Sequence, residues 1–117
     1  MPAGAAIMVE FASFAGAAAV LVASATAAVQ GGQKIAEHGS SAGAPPCASC
    51  HGHQFKGDPS IGSPSIAGLP ASFIVQRLDH YAGPDGHNAI MRQVASSLSP
   101  AERRQVAAYL SSFPKLR

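Results

Sequence analysis

The sequence predicts an all-α fold of about four short helices joined by long loops. Two observations predict it. Apolar residues recur at helical spacing over residues 70–81, 88–98 and 99–113, and helix start and stop signals bracket those stretches. No stretch reads as a strand, so a parallel sheet with crossover helices is excluded.

Taken in order, residues 30–38 form the first helix of the folded part, with Ile35 as its apolar anchor and Gly39 as its stop. Gly31 and Gly32 are poor helix formers, and their expected use is to let another helix approach closely. Residues 39–46 are rich in breakers and form a loop. From Gly52 to Gly68 the chain is Gly- and Pro-rich, irregular backbone suited to wrapping closely round a bound group. Pro70 fits the first turn of a helix running to about Tyr81, with Ile74, Leu78 and Tyr81 on one face. Gly83-Pro84-Asp85-Gly86 is a turn. Asn88 is placed to cap a short helix carrying Met91, Val94 and Leu98. Ser99-Pro100-Ala101-Glu102 reads as a capping box with Pro at the first helical position. The last helix then runs to about Phe113, burying Val106, Tyr109, Leu110 and Phe113, and Pro114 stops it.

The chemistry is concentrated in Cys47-Ala48-Ser49-Cys50-His51. C-x-x-C-H is the spacing of a c-type haem attachment site. Two thiols one short turn apart can each form a thioether with a vinyl group of one porphyrin, and the next residue offers an imidazole to the iron. These are the only two cysteines of the chain, so one haem accounts for both. A structural zinc site wants a second pair of ligands at a distance, and none is present. A thioredoxin-like motif wants a βαβ context. A plain Cys47–Cys50 disulfide is the remaining alternative.

Electron-transfer haem needs a sixth ligand, which Met or His supplies. Met1 and Met8 lie in the N-terminal segment treated below. Met91, 40 residues after His51 and beyond a helix and a Gly/Pro turn, is the expected distal ligand. The competing reading is an ordinary core methionine on a short helix. Among the other histidines, His53 is too near the proximal site to reach the far face of the ring. His38 sits at a helix C-terminus where the dipole favours it. His80 and His87 flank the turn before Met91 and are the weaker rivals to it.

The 117 residues, with a net charge of +2, no Trp and two Cys, amount to one small domain. Residues 1–29 differ from the rest. Phe11 to Val29 carries no charge and is nearly half Ala, and Ala25-Thr26-Ala27 is an A-x-A cleavage pattern. Residues 1–27 are therefore expected to be a signal peptide, with cleavage after Ala27, or after Ala25 as second choice. The first ten residues lack the usual basic charge, and Glu10 is acidic. The alternative is a retained N-terminal membrane anchor, long enough to span a bilayer but weakly apolar. A soluble amphipathic helix is a third reading. The two leading readings place the haem domain, residues 28–117, in the periplasm, free or membrane-anchored. That domain is close to the lower limit for a self-sufficient core, so the haem is expected to form its centre. Lys and Arg are scattered, which argues against nucleic acid as a partner.

Together these residues resemble the monohaem class I c-type cytochromes, in the bacterial branch whose domains also occur in tandem as di-haem periplasmic carriers. Four segments carry the resemblance over residues 30–114. They are Gly32-Gln33-Lys34-Ile35-Ala36, Cys47 to Gly52, Pro64-Ser65-Ile66-Ala67-Gly68, and Met91 to Leu98 with the Ser99-Pro100 helix start and Ala107-Ala108-Tyr109. The resemblance implies a class I cytochrome c fold wrapped around one covalent haem c. It implies that the Pro64 carbonyl accepts a hydrogen bond from the second ring nitrogen of His51, and that the first and last helices cross near Gly32 and Tyr109. Many relatives carry an Arg shortly after the turn glycine, facing a haem propionate. Pro84, Asp85, Gly86 and His87 stand there instead, which leaves His87 or Arg77 to take over part of that role.

The expected function is that of a one-electron carrier: Cys47 and Cys50 hold the haem, His51 and Met91 ligate the iron, and Pro64 supports His51. No catalytic residue is expected. Partners would be redox proteins met by transient contact. Alternatives are a haem c subunit of a periplasmic dehydrogenase or sulfur-oxidising complex, and a gas-binding haem protein with a labile Met91.

Overall fold

A computed structural model describes residues 25–114. The expected export segment, 1–27, lies outside the described residues except for its last three positions. Among the described residues there are five helices and no strand. The helices are α1 (25–38), α2 (Ala48–His51), α3 (Ala71–Ala82), α4 (Ala89–Ser96) and α5 (Pro100–Ser111). The one β-like feature is an isolated antiparallel bridge between Asp58 and Ser63. No helix among the described residues is long and apolar enough to cross a membrane.

Helix α1 is already helical at residue 25, not from Gln30 as its sequence suggests, and runs through Gly31 and Gly32. Two glycines in a helix interior cost about 1 kcal/mol each, and a tertiary contact is what opposes that cost. A Cβ at Gly32 would stand 2.0 Å from the Gln105 carbonyl oxygen and 2.8 Å from Tyr109 Cβ. Helices α1 and α5 thus cross backbone to backbone at Gly32. The Tyr109 hydroxyl donates to Glu37 Oε1 at 3.1 Å beside the crossing.

Helix α3 starts directly after Pro70. Pro70 keeps an extended ψ of 138° and serves as N-cap, its carbonyl accepting the first helical bond from Ile74 N at 3.1 Å. Ile74 and Leu78 are buried, and Tyr81 is half-buried. Asn88 caps α4, its side chain accepting from Met91 N at 3.0 Å. The capping box of α5 is present in both directions. Ser99 Oγ accepts from Glu102 N at 3.1 Å, and Ser99 N donates to Glu102 Oε1 at 2.9 Å. Helix α5 ends at Ser111, short of Phe113, because the residue before a proline is pushed out of the helical region.

The core is one cluster drawn from α1, α3, α4, α5 and the loops, with Phe55, Val106 and Leu110 its largest fully buried side chains. Arg103 of α5 ties its neighbours together. Its Nε donates to the Ala95 carbonyl at the end of α4 at 3.0 Å, and its Nη1 donates to Asp79 of α3 at 3.2 Å.

Candidate functional site

The single turn α2 presents the cysteines. Cys47 is its N-cap, and His51 N donates to the Cys47 carbonyl at 2.9 Å. Ser49 Oγ donates to the Pro46 carbonyl at 2.6 Å and closes the start of the turn. Residues three apart on such a turn share a face, so Cys47 and Cys50 lie together, the first half-buried and the second exposed, both as free thiols. Burial pushes the Cys47 thiol up to about 11, with the neighbouring Cys50 adding to the shift.

His51 ends α2 and is buried, with 9% of its surface exposed. Its Nδ1 lies 2.8 Å from the Pro64 carbonyl oxygen. A carbonyl oxygen only accepts, so Nδ1 carries the proton and the lone pair of the neutral ring is on Nε2. That is the arrangement a metal-ligating imidazole requires.

The irregular segment 52–68 is fastened to this histidine at several points. Gly57 N donates to the His51 carbonyl at 2.9 Å. A Cβ on Gly57 would stand 2.7 Å from the Ser63 carbonyl oxygen and 2.8 Å from Pro64 C, so the two arms of the loop touch there. Asp58 and Ser63 exchange backbone bonds of 2.9 and 3.1 Å. Phe55 is fully buried, with its ring edge-on to Tyr109 and Phe113 at centroid distances of 5.9 and 5.5 Å. Its φ is +57°, the left-handed region that costs a residue with a side chain about 1–2 kcal/mol. Phe55 is the residue that sequence reasoning missed. A large aromatic in a stretch of breakers was the only available signal.

Met91 stands on α4, half-buried against the same core cluster that Cys47 packs on. Its backbone is fixed by the Asn88 cap. His38, His53, His80 and His87 are all exposed. Arg77 is engaged with Tyr81: it donates to the Tyr81 hydroxyl at 3.2 Å, and its guanidinium lies 5.1 Å from the ring centroid. A cleft of about 580 Å3 beside α2 is lined by Glu37, His38, Pro46, Ala48, Ser49 and His53. Neither His51 nor Met91 lines it, so it is not where the iron ligands would meet.

Residues 29–114 match the family described as cytochrome c. The chain belongs to that family. Its family makes this cytochrome an electron-transfer haem protein, and covalent haem c is the cofactor that family implies. It is 34% identical over 100 residues to the thiosulfate dehydrogenase electron acceptor of Stutzerimonas stutzeri, covering 86% of this chain and 46% of that protein. It is 38% identical over 76 residues to the protein of the same description from Thiomonas intermedia, covering 62% of this chain and 35% of that one. This cytochrome thus spans less than half the length of these curated relatives.

Solved structures bear out the class I cytochrome c fold. Reduced cytochrome c4 from Pseudomonas stutzeri matches with a TM-score of 0.68 at 26% identity, covering 76% of this chain and 50% of that one. Cytochrome c4 from Acidithiobacillus ferrooxidans matches with a TM-score of 0.69 at 32% identity, covering 74% and 50%. A thiosulfate dehydrogenase from Marichromatium purpuratum matches with a TM-score of 0.70 at 25% identity, covering 74% of this chain and 19% of that one.

The residues present fit a haem. The donor set is two free thiols on one turn and an imidazole whose Nε2 bears the lone pair. Ile66, Leu69, Val75 and Met91 are only partly covered by the core they pack on, which leaves apolar surface for a flat, largely apolar ring.

Proposed function

We propose that this cytochrome is a periplasmic one-electron carrier built on a single covalent haem c. Cys47 and Cys50 would anchor the ring, and His51 and Met91 would ligate its iron. The observation that carries the reading is the 2.8 Å hydrogen bond from His51 Nδ1 to the Pro64 carbonyl, which leaves Nε2 as the donor atom of a buried imidazole next to the paired thiols. With only two cysteines in the chain, one haem is the number it can attach by two thioethers.

When bound, the haem supplies an iron that alternates between ferrous and ferric states. The chain's own residues do the rest. The Pro64 carbonyl fixes the ring plane of His51 and raises its basicity. Met91 offers a thioether, a soft donor that favours the reduced state. With both in place, His51 and Met91 would leave no ready position for oxygen, which is what a carrier requires. Exposed Cys50 marks the side of the site nearest solvent, where a partner would come within electron-transfer reach.

The names of the relatives support one partner class: a thiosulfate dehydrogenase, from which this cytochrome would accept electrons. A second reading, a permanent haem subunit of such an enzyme, is favoured by the match to part of a thiosulfate dehydrogenase. Copurification with a larger subunit supports that reading, and a monodisperse monomer opposes it. Residues 1–27 would serve as export signal or anchor, and the N-terminal mass of the mature protein distinguishes the two.

The decisive experiment is an absorption spectrum of the protein matured with its haem, reduced and oxidised, including the weak near-infrared iron–thioether band. A c-type spectrum with that band in the oxidised form is expected. Colourless protein, or haem without the band, overturns the assignment of Cys47 and Cys50 or of Met91 respectively.

A further inference from the structure

Segment 52–68 does more than fill space round His51. Its two arms are joined at Phe55 and Gly57, and both joints bear on the Pro64 carbonyl. The Phe55 carbonyl accepts from Ile66 N at 2.9 Å and from Ala67 N at 3.0 Å, two and three residues after the proline. Phe55 N donates to the Gly52 carbonyl at 3.0 Å, just past the proximal histidine. One residue therefore links the strand of chain leaving His51 to the strand of chain that supplies its hydrogen-bond acceptor. Gly57 makes the second link, since its N–H holds the His51 carbonyl while its Cα abuts Ser63, Pro64 and Ser65.

Phe55 holds a left-handed backbone, which bulky residues avoid unless their surroundings impose it. Its fully buried ring, wedged edge-on against Tyr109 and Phe113 of the last helix and its end, is what imposes it here. Glycine would take this backbone freely but would have no ring to anchor it. The buried ring thus sets the position of the Phe55 carbonyl, and that carbonyl sets the Ile66–Ala67 backbone, which Ser65 joins to Pro64.

We infer that Phe55 and Gly57 are positioning residues for the proximal ligand: they aim the Pro64 carbonyl at His51 Nδ1 and thereby tune the oxidised-to-reduced equilibrium of the iron. This rests on the haem reading above. A hydrogen bond accepted from Nδ1–H makes the imidazole a stronger donor, which favours ferric iron. Loosening it should therefore shift the equilibrium toward the reduced form.

The test compares Gly57→Ala and Phe55→Gly with wild type and with Phe113→Leu, all as haem-loaded protein. Gly57→Ala places a methyl against Pro64, and Phe55→Gly removes the anchor while relieving the backbone. Phe113→Leu weakens the same aromatic cluster but leaves every backbone link of the loop in place. The readouts are the midpoint potential, solvent exchange of the His51 Nδ1 proton in the reduced protein, amide protection of Ile66 and Ala67, and thermal stability. The expected result is a severalfold shift of the oxidised-to-reduced ratio toward the reduced form in both loop variants. Nδ1 proton exchange should be faster in both, and amide protection at 66 and 67 should fall in Phe55→Gly. Phe113→Leu should lose stability with a smaller shift of potential than either loop variant. Loop variants with lowered stability but wild-type potential and Nδ1 exchange would reduce Phe55 and Gly57 to structural residues and overturn the inference. If Gly57→Ala does not mature, Phe55→Gly alone decides by the same readouts. Wild-type protein that takes up no haem overturns the function itself.

Discussion

At the scale of single residues, Met91 and Tyr109 make separable claims. Met91 is half-buried and held by a capped helix start, so its side chain can be shortened without unfolding α4. Met91→Ala should abolish the near-infrared thioether band, open the reduced protein to carbon monoxide and lower the midpoint potential. The drop should be on the order of 0.1–0.3 V, within the roughly 0.8 V that axial ligands span. A variant with unchanged band and potential would make Met91 a core residue. Tyr109 acts on stability. Burial, and then its hydrogen bond to Glu37, raise its phenol above the ordinary tyrosine value. The folded state therefore holds this proton more tightly than the unfolded chain. The stabilisation is complete below the unfolded value of about 10 and is lost as pH rises through the folded one. Tyr109→Phe should cost about 0.5–1.5 kcal/mol at pH 7, and its deficit against wild type should shrink at pH 11. Denaturant midpoints at the two pH values check both signs.

At the scale of elements, the α1–α5 crossing separates two adjacent glycines. Ala at Gly32 would meet the backbone carbonyl of Gln105 at 2.0 Å, which no rotamer change relieves, so the helices must part. Overpacking of this kind costs about 1–3 kcal/mol or more, outweighing the gain of about 1 kcal/mol from removing a helical glycine. Ala at Gly31 would meet only the end of the Gln105 side chain at 2.8 Å, which can swing aside. Gly32→Ala should lower the melting temperature, and Gly31→Ala should leave it unchanged or raise it. Equal effects would mean that the crossing does not depend on Gly32. These elements also mark what the sequence discloses. The caps at Asn88 and at Ser99 with Glu102 were legible because a side chain and a backbone N–H three residues on decide them locally. The early start of α1 was not legible, because residues 25–29 read as the end of an Ala-rich export segment with a cleavage pattern and not as part of the folded chain. The site divides in the same way. Cys47, Cys50 and His51 announce themselves by spacing. The pairing of His51 with Pro64 follows only from likeness to a family, and Phe55 follows from neither, because its role comes from tertiary contacts across the chain.

At the scale of the whole molecule, the core of the described residues is small, and part of its apolar surface stays uncovered. Phe73 and Ile90, at the starts of α3 and α4, are 47% and 69% exposed, and Ile66, Leu69, Val75 and Met91 are half-covered. A chain of this size buries only about 60–65% of the surface its unfolded form exposes, near the margin for folding alone. A covalent haem would cover apolar side chains on both its faces and would also tie α2 to the elements around it. Each fully buried side chain of the Leu or Met kind contributes about 1.5–3 kcal/mol, so covering even part of this set rivals the whole stability of a small domain. The double variant Cys47→Ala with Cys50→Ala, which cannot form thioethers, should therefore unfold at far lower denaturant than the haem-bound protein. Without haem it should bind a hydrophobic dye, as chains with exposed cores do, and should keep part of its helical circular dichroism. A cooperative transition at the wild-type midpoint would mean that the polypeptide is self-sufficient, with the haem a passenger in a finished fold.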